Sequence, residues 1–110
     1  MTAAKALAAL PPSIRVGPND IRLVVETDHN TKYWGLYDSN INRITLVHSI
    51  CDPQHVVEVL LHEISHAIYD KAKMEDSDVE ERIVATFSVS WTQIFRDNPW
   101  LTKWIAKYVK

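Results

Sequence analysis

The run Asp52-Pro53-Gln54-His55-Val56-Val57-Glu58-Val59-Leu60-Leu61-His62-Glu63-Ile64-Ser65-His66 decides how the rest of the chain is read. Val56, Val57, Leu60, Leu61 and Ile64, followed by Ile68, recur at helical spacing and give one apolar face. Asp52 is placed to cap this helix. Pro53 suits its first position, where the missing N–H would have had no partner. The helix is predicted to run to about Lys71. His62 and His66 lie one turn apart at the edge of the apolar face, so two imidazole nitrogens can reach one metal ion. Glu63 projects about 100° round the helix from His62, within reach of a water at the same place. This is what a zinc hydrolase needs: two neutral nitrogen ligands, a carboxylate base and an open coordination position.

Zinc requires more than two protein ligands, and the candidates downstream are Glu80 and Glu81. Ser77-x-x-Glu80 reads as a capping box that opens a second helix. Val79, Ile83, Val84, Phe87, Trp91, Ile94 and Phe95 continue that helix at three- and four-residue spacing. The connection is short, so the two helices are predicted to pack antiparallel. His66 then lies roughly 7 Å from the end of its helix and Glu81 about 5 Å from the start of the next. Glu80 has a competing task, since a capping box turns its carboxylate back to the amide of Ser77. Glu81 is therefore taken as the third ligand in preference to Glu80. The positive end of the helix dipole favours either carboxylate in its charged form. Tyr69, a turn past His66, is a candidate to face the same site.

Upstream, residues 2–10 favour a short helix that must dock through Leu7 and Leu10. Pro11-Pro12 stops it, and Gly17-Pro18-Asn19-Asp20 is a turn. Ile21–Thr27, Tyr33–Tyr37 and Asn42–Val47 read as strands, the last with one wet face. Asp28–Thr31 and Asp38–Asn40 are the turns between them. The expectation is α+β: a small three-stranded antiparallel sheet packed against the histidine-bearing helix and a second, antiparallel helix. Asp97-Asn98-Pro99 starts a short C-terminal helix, with Trp100, Leu101, Trp104, Ile105, Tyr108 and Val109 on one side and lysines on the other. That stripe is expected to pack on its own domain rather than on a membrane. The strand Asn42–Val47 is either an ordinary sheet edge or one that accepts an extended substrate as an added strand.

The 110 residues suit a single domain, residues 1–110, and 46% hydrophobic with 24% charged is a globular composition. A net charge of −2 gives no reason to expect nucleic acid as a partner. No apolar run reaches the roughly 20 residues of a membrane span. Two glycines leave no phosphate-binding loop. The single cysteine, Cys51, excludes an internal disulfide and suits a reducing compartment; a buried, inert thiol is expected. The N-terminus makes a poor signal peptide, so a cytoplasmic protein is expected. His29, His48 and His55 have no ligand spacing to one another and are read as solvated or turn residues.

With His62, Glu63, His66 and Glu81 in this order, the chain resembles the gluzincin-type zinc metallopeptidases. It is most similar to the small forms of bacteriophages and mobile elements related to ImmA/IrrE-type domains. The run Glu80-Glu81-Arg82-Ile83-Val84-Ala85-Thr86-Phe87-Ser88, then Phe95–Pro99, looks like the C-terminal half of such proteins, and the resemblance covers residues 33–99. It implies a minimal zincin-like fold, zinc held by His62, His66 and Glu81, and Glu63 as the general base in hydrolysis of a protein or peptide. It also implies the host cytoplasm as the compartment for a phage-encoded chain. Many gluzincins place Asp or Asn four residues after the third ligand, and here that position is Ala85. The competing expectation is a non-catalytic metal-binding module with a regulatory or interaction role.

Overall fold

The computed structural model describes residues 2–27, 32–75 and 79–109, apart from the side chain of Val84. The expected turn at Asp28–Thr31, with His29, and the capping residue Ser77 lie outside the described residues. The chain is α+β, with four helices and a four-stranded mixed sheet.

Helix α1 (Ala3–Ala8) is capped by the Thr2 hydroxyl, which accepts from the Lys5 amide. Strand β1 (Ser13–Val16) follows the Pro11-Pro12 stop and pairs antiparallel with β2 (Asn19–Glu26). Gly17 and Pro18 form the two-residue loop between them. Gly17 has φ +59°, a conformation open to glycine, and the proline ring holds the next φ negative; a tight hairpin loop requires this order. Ile14 and Val16 alternate inward from two exposed partners, which is why so short a segment holds its register.

The three-stranded meander is corrected here in number, order and direction. Strand β3 (Gly35–Asp38) does not pair with β2. It lies on the far side of β4 (Arg43–Val47), in the order β1-β2-β4-β3, and β2 runs parallel to β4. The reason lies in β4. Ile44, Thr45, Leu46 and Val47 are all at most 4% exposed, so this strand needs a neighbour on each side. The expected wet face is absent at Thr45, which is flanked across the ladder by Val24 and Leu36.

Helix α2 (Pro53–Lys71) has the predicted start. The Asp52 carboxylate accepts from the Gln54 amide and Pro53 opens the first turn. Its buried face, centred on Val56, Val57, Leu60, Ile64, Ala67 and Ile68, joins Ile14, Ile21, Ile44 and Leu46 of the sheet in one core. The helix ends in a Schellman motif: Lys73 donates to the Asp70 carbonyl and Met74 to that of Tyr69, with Lys73 at φ +54°. Helix α3 (Glu80–Asp97) buries Ile94, and α4 (Pro99–Tyr108) buries Leu101, Trp104 and Tyr108. As expected, α4 packs on its own domain. The Trp104 indole donates to the Ala6 carbonyl at 3.0 Å and the Tyr108 hydroxyl to that of Lys5. No described helix is long and apolar enough to cross a membrane.

Asn98, between α3 and α4, is 4% exposed and fully engaged. Its side-chain oxygen accepts from the Arg15 amide at 2.9 Å, and its nitrogen donates to the carbonyls of Arg15 and Ile94, each at 2.8 Å. The side-chain amide thus completes the outer edge of β1 as a short piece of strand would.

Candidate metal-binding and catalytic site

The two histidines of α2 point together. Their Nε2 atoms are 3.1 Å apart, with ring centroids at 4.7 Å and planes at 76°. Two nitrogens about 2.05 Å from one tetrahedral zinc would stand roughly 3.1–3.4 Å apart, so the pair has the separation of two ligands on one ion. Both rings are exposed and open to exchange with solvent. At this distance one ring can also donate a hydrogen bond to the other, and a metal would displace that proton.

Glu63, a residue on from His62, turns inward and is 6% exposed. Among the described residues it has no hydrogen-bond or ion-pair partner, and it borders the cavities on both sides of the site. Its place is set by Gly35 of β3. A Cβ there would lie 2.6 Å from Val59 Cγ1, 3.1 Å from Glu63 Cγ and 3.3 Å from Glu63 Oε2. Only glycine lets strand and helix cross this closely, which holds the carboxylate against the strand.

Two cavities flank the crossing. One, of about 430 Å³, lies towards the start of α2 and is walled by Tyr33, Trp34, His55, Glu58 and Val59. The other, of about 450 Å³, lies towards the helix end and is bordered by Tyr37, Ser39, His66, Tyr69 and Asp70. His62, Glu63 and Gly35 border both. In the second cavity the Tyr37 hydroxyl donates to Asp70 Oδ2 at 2.8 Å. Burial, and then the hydrogen bond and charge of Asp70, hold that hydroxyl protonated well above the usual tyrosine range.

Glu80 and Glu81 stand in the first turn of α3, as the sequence indicates, and both are exposed. Among the described residues no three His, Cys, Asp or Glu side chains gather as a metal site. The structure therefore brings the histidine pair together and sets Glu63 beside it, but does not join either glutamate of α3 to them. The start of α3 has no side-chain cap on Val79, and the residues before it, Asp76–Asp78, lie outside the described ones.

Other readings of single residues change. Cys51 is exposed rather than buried, because it precedes the cap of α2 outside the core; its thiol donates to the Ser49 carbonyl. His55 is half-buried and forms a T-shaped pair with Trp34, ring centroids 5.2 Å apart. Asn42–Val47 is not a sheet edge; its β4 portion is interior, and the edge beside the histidines is β3. The ladder bonds of β3 fall at alternate residues from Trp34, whose carbonyl accepts from Val47. The N–H and C=O groups of Gly35 and Tyr37 consequently face outward and meet no backbone partner among the described residues. Tyr37, Gly35 and His55 escaped sequence reasoning. A glycine inside a strand pattern was the one available signal, since it marks close backbone approach.

Comparisons with protein-family models, with curated proteins and with solved structures found no match.

Proposed function

We propose that this chain is a zinc-dependent metallopeptidase of minimal zincin-like form. The observation that supports this most is the convergence of the His62 and His66 Nε2 atoms at 3.1 Å, with Glu63 on the wall of the cavities beside them. The donor chemistry fits zinc: two imidazoles, with a carboxylate as the third ligand. Glu81 is the proposed third ligand and Glu80 the alternative. For either to serve, the start of α3 must move onto α2, and metal sites of this kind couple binding to local folding. When bound, zinc would supply Lewis acidity and lower the pKa of a coordinated water towards about 7.

The chain's own residues do the remaining work. Glu63 accepts the proton of the attacking water and returns it to the leaving amine nitrogen. The outer edge of β3 receives the substrate as an added strand through the outward groups of Gly35 and Tyr37. That places an extended protein or peptide across the crossing, with a cavity on either side.

Zinc content and hydrolysis of an unfolded protein substrate test this reading together. Zinc-loaded protein is expected to cleave. Glu63→Gln is expected to keep its zinc and lose about 10²- to 10⁴-fold in rate. His62→Ala and His66→Ala should each lose the metal. A chain that takes up no zinc ends the proposal. Zinc uptake with no cleavage by the unaltered protein supports the non-catalytic metal-binding module instead.

A further inference from the structure

The cavity at the start of α2 has features that go beyond the reaction. Trp34 and Tyr33 are 50% and 41% exposed and both wall this cavity. Trp34 packs against His55 in a T-shaped contact. Val59 adds an aliphatic wall that is 7% exposed. The acidic side chains bordering this cavity among the described residues are Glu58, on the exposed face of α2, and Glu63, beside the imidazoles of His55 and His62. No described lysine or arginine lines it. Its volume, about 430 Å³, accommodates a long side chain.

Apolar walls, exposed aromatic rings and a carboxylate at the mouth are complementary to an aliphatic stem that ends in a cation. A purely apolar side chain would leave Glu58 unused. We infer that this cavity selects a lysine or arginine side chain of the substrate, with the stem against Trp34 and Val59 and the cation at Glu58. The inference rests on the peptide-substrate reading above, because a peptide laid along β3 brings one side chain to this cavity as it passes Gly35. Glu58 and Trp34 are then specificity-determining residues, separate from the metal ligands.

The test uses the full chain carrying Glu63→Gln, zinc-loaded, and fluorescent alanine-based heptapeptides that differ at one residue: arginine, lysine, citrulline, norleucine or phenylalanine. Affinity is read by fluorescence anisotropy. Arginine and lysine peptides are expected to bind about tenfold more tightly than citrulline and norleucine. Glu58→Gln, on an exposed helix position, should reduce that preference to within about twofold. Trp34→Leu should weaken all the peptides and the charged ones most. Equal or tighter binding of norleucine or phenylalanine, a preference unmoved by Glu58→Gln, or no binding of any peptide overturns the inference. Cleavage of the arginine peptide by the unaltered chain is measured separately. Charge-selective binding without cleavage leaves this inference standing and counts against the peptidase reading, whereas cleavage without charge preference does the reverse.

Discussion

At one rim of the sheet, β1 turns the N–H and C=O of Arg15 outward, and the buried Asn98 amide meets both. At the other rim, β3 turns the same groups of Gly35 and Tyr37 outward with no backbone partner among the described residues. Unpaired strand edges invite pairing with other chains, and proteins generally cover or blunt them. Here one edge is met at Arg15 by a dedicated side chain, while the other runs beside the two histidines and Glu63. The difference sets the second edge apart from the first, and it gives the peptide-binding proposal a reference within the same sheet.

Removing the closure should have the largest effect on stability. Asn98→Ala leaves the Arg15 amide and carbonyl without their partner, while the Ile94 carbonyl keeps the backbone amide of residue 98, and should cost roughly 2–4 kcal/mol in chemical denaturation. It should also promote self-association at high concentration, seen by sedimentation. An Asn98→Ala chain as stable and as monodisperse as the parent would remove the contrast between the edges.

Gly35→Ala attacks the open edge from within. The added methyl meets Val59 at 2.6 Å, so strand and helix must separate. A loss of about 1–3 kcal/mol is expected, as for overpacking elsewhere. Because Glu63 leans on the same residue, cleavage should fall further than the loss of folded protein explains. Rate and melting temperature measured on one preparation would separate the two.

Tyr37→Phe is milder, about 0.5–1 kcal/mol for one part-exposed hydrogen bond. The folded state holds this hydroxyl protonated above its ordinary range, chiefly by burial and then through Asp70. The corresponding stability is complete below the ordinary tyrosine pKa of about 10 and declines as pH rises above it towards the folded value. Denaturation curves between neutral and strongly alkaline pH should slope downward for the parent and less so for Tyr37→Phe.

Leu36→Lys should matter least. Leu36 is 39% exposed on β3, and a charge there should change stability by under about 0.5 kcal/mol. A larger loss would mean that something covers this rim.

Helix α2 was legible in the sequence from Asp52 to Lys71 because its information is local: a capping carboxylate, a proline at the first position and an apolar period. The histidine pair and Glu63 inherit that clarity, since a helix fixes the spacing of residues within it. Strand β1 was hidden by its four-residue length and the prolines before it, although Ile14 and Val16 alternate. The order of the sheet was not legible, because what puts β4 between β2 and β3 is burial on both faces. Short polar turns gave no warning that the chain passes beyond β4 and returns. The placement of Glu81 is a tertiary question of the same kind: its position on α3 is clear, while its distance from His66 depends on how two helices pack. Gly35 is the intermediate case, a visible anomaly in a strand whose partner, Val59, no local pattern identifies.

The clamp on β1 also has a consequence for synthesis. Arg15 and Asn98 are separated by 83 positions, whereas the crossing of β3 with α2 joins segments close in sequence. A ribosome therefore delivers the strand and helix around Glu63 well before it releases the amide that seals the first hairpin. Until Asn98 arrives, the outward N–H and C=O of Arg15 have no side-chain amide to meet them. Crowding by neighbouring nascent copies would be most damaging then, and slowing translation between the end of α2 and Asn98 would lengthen the exposure.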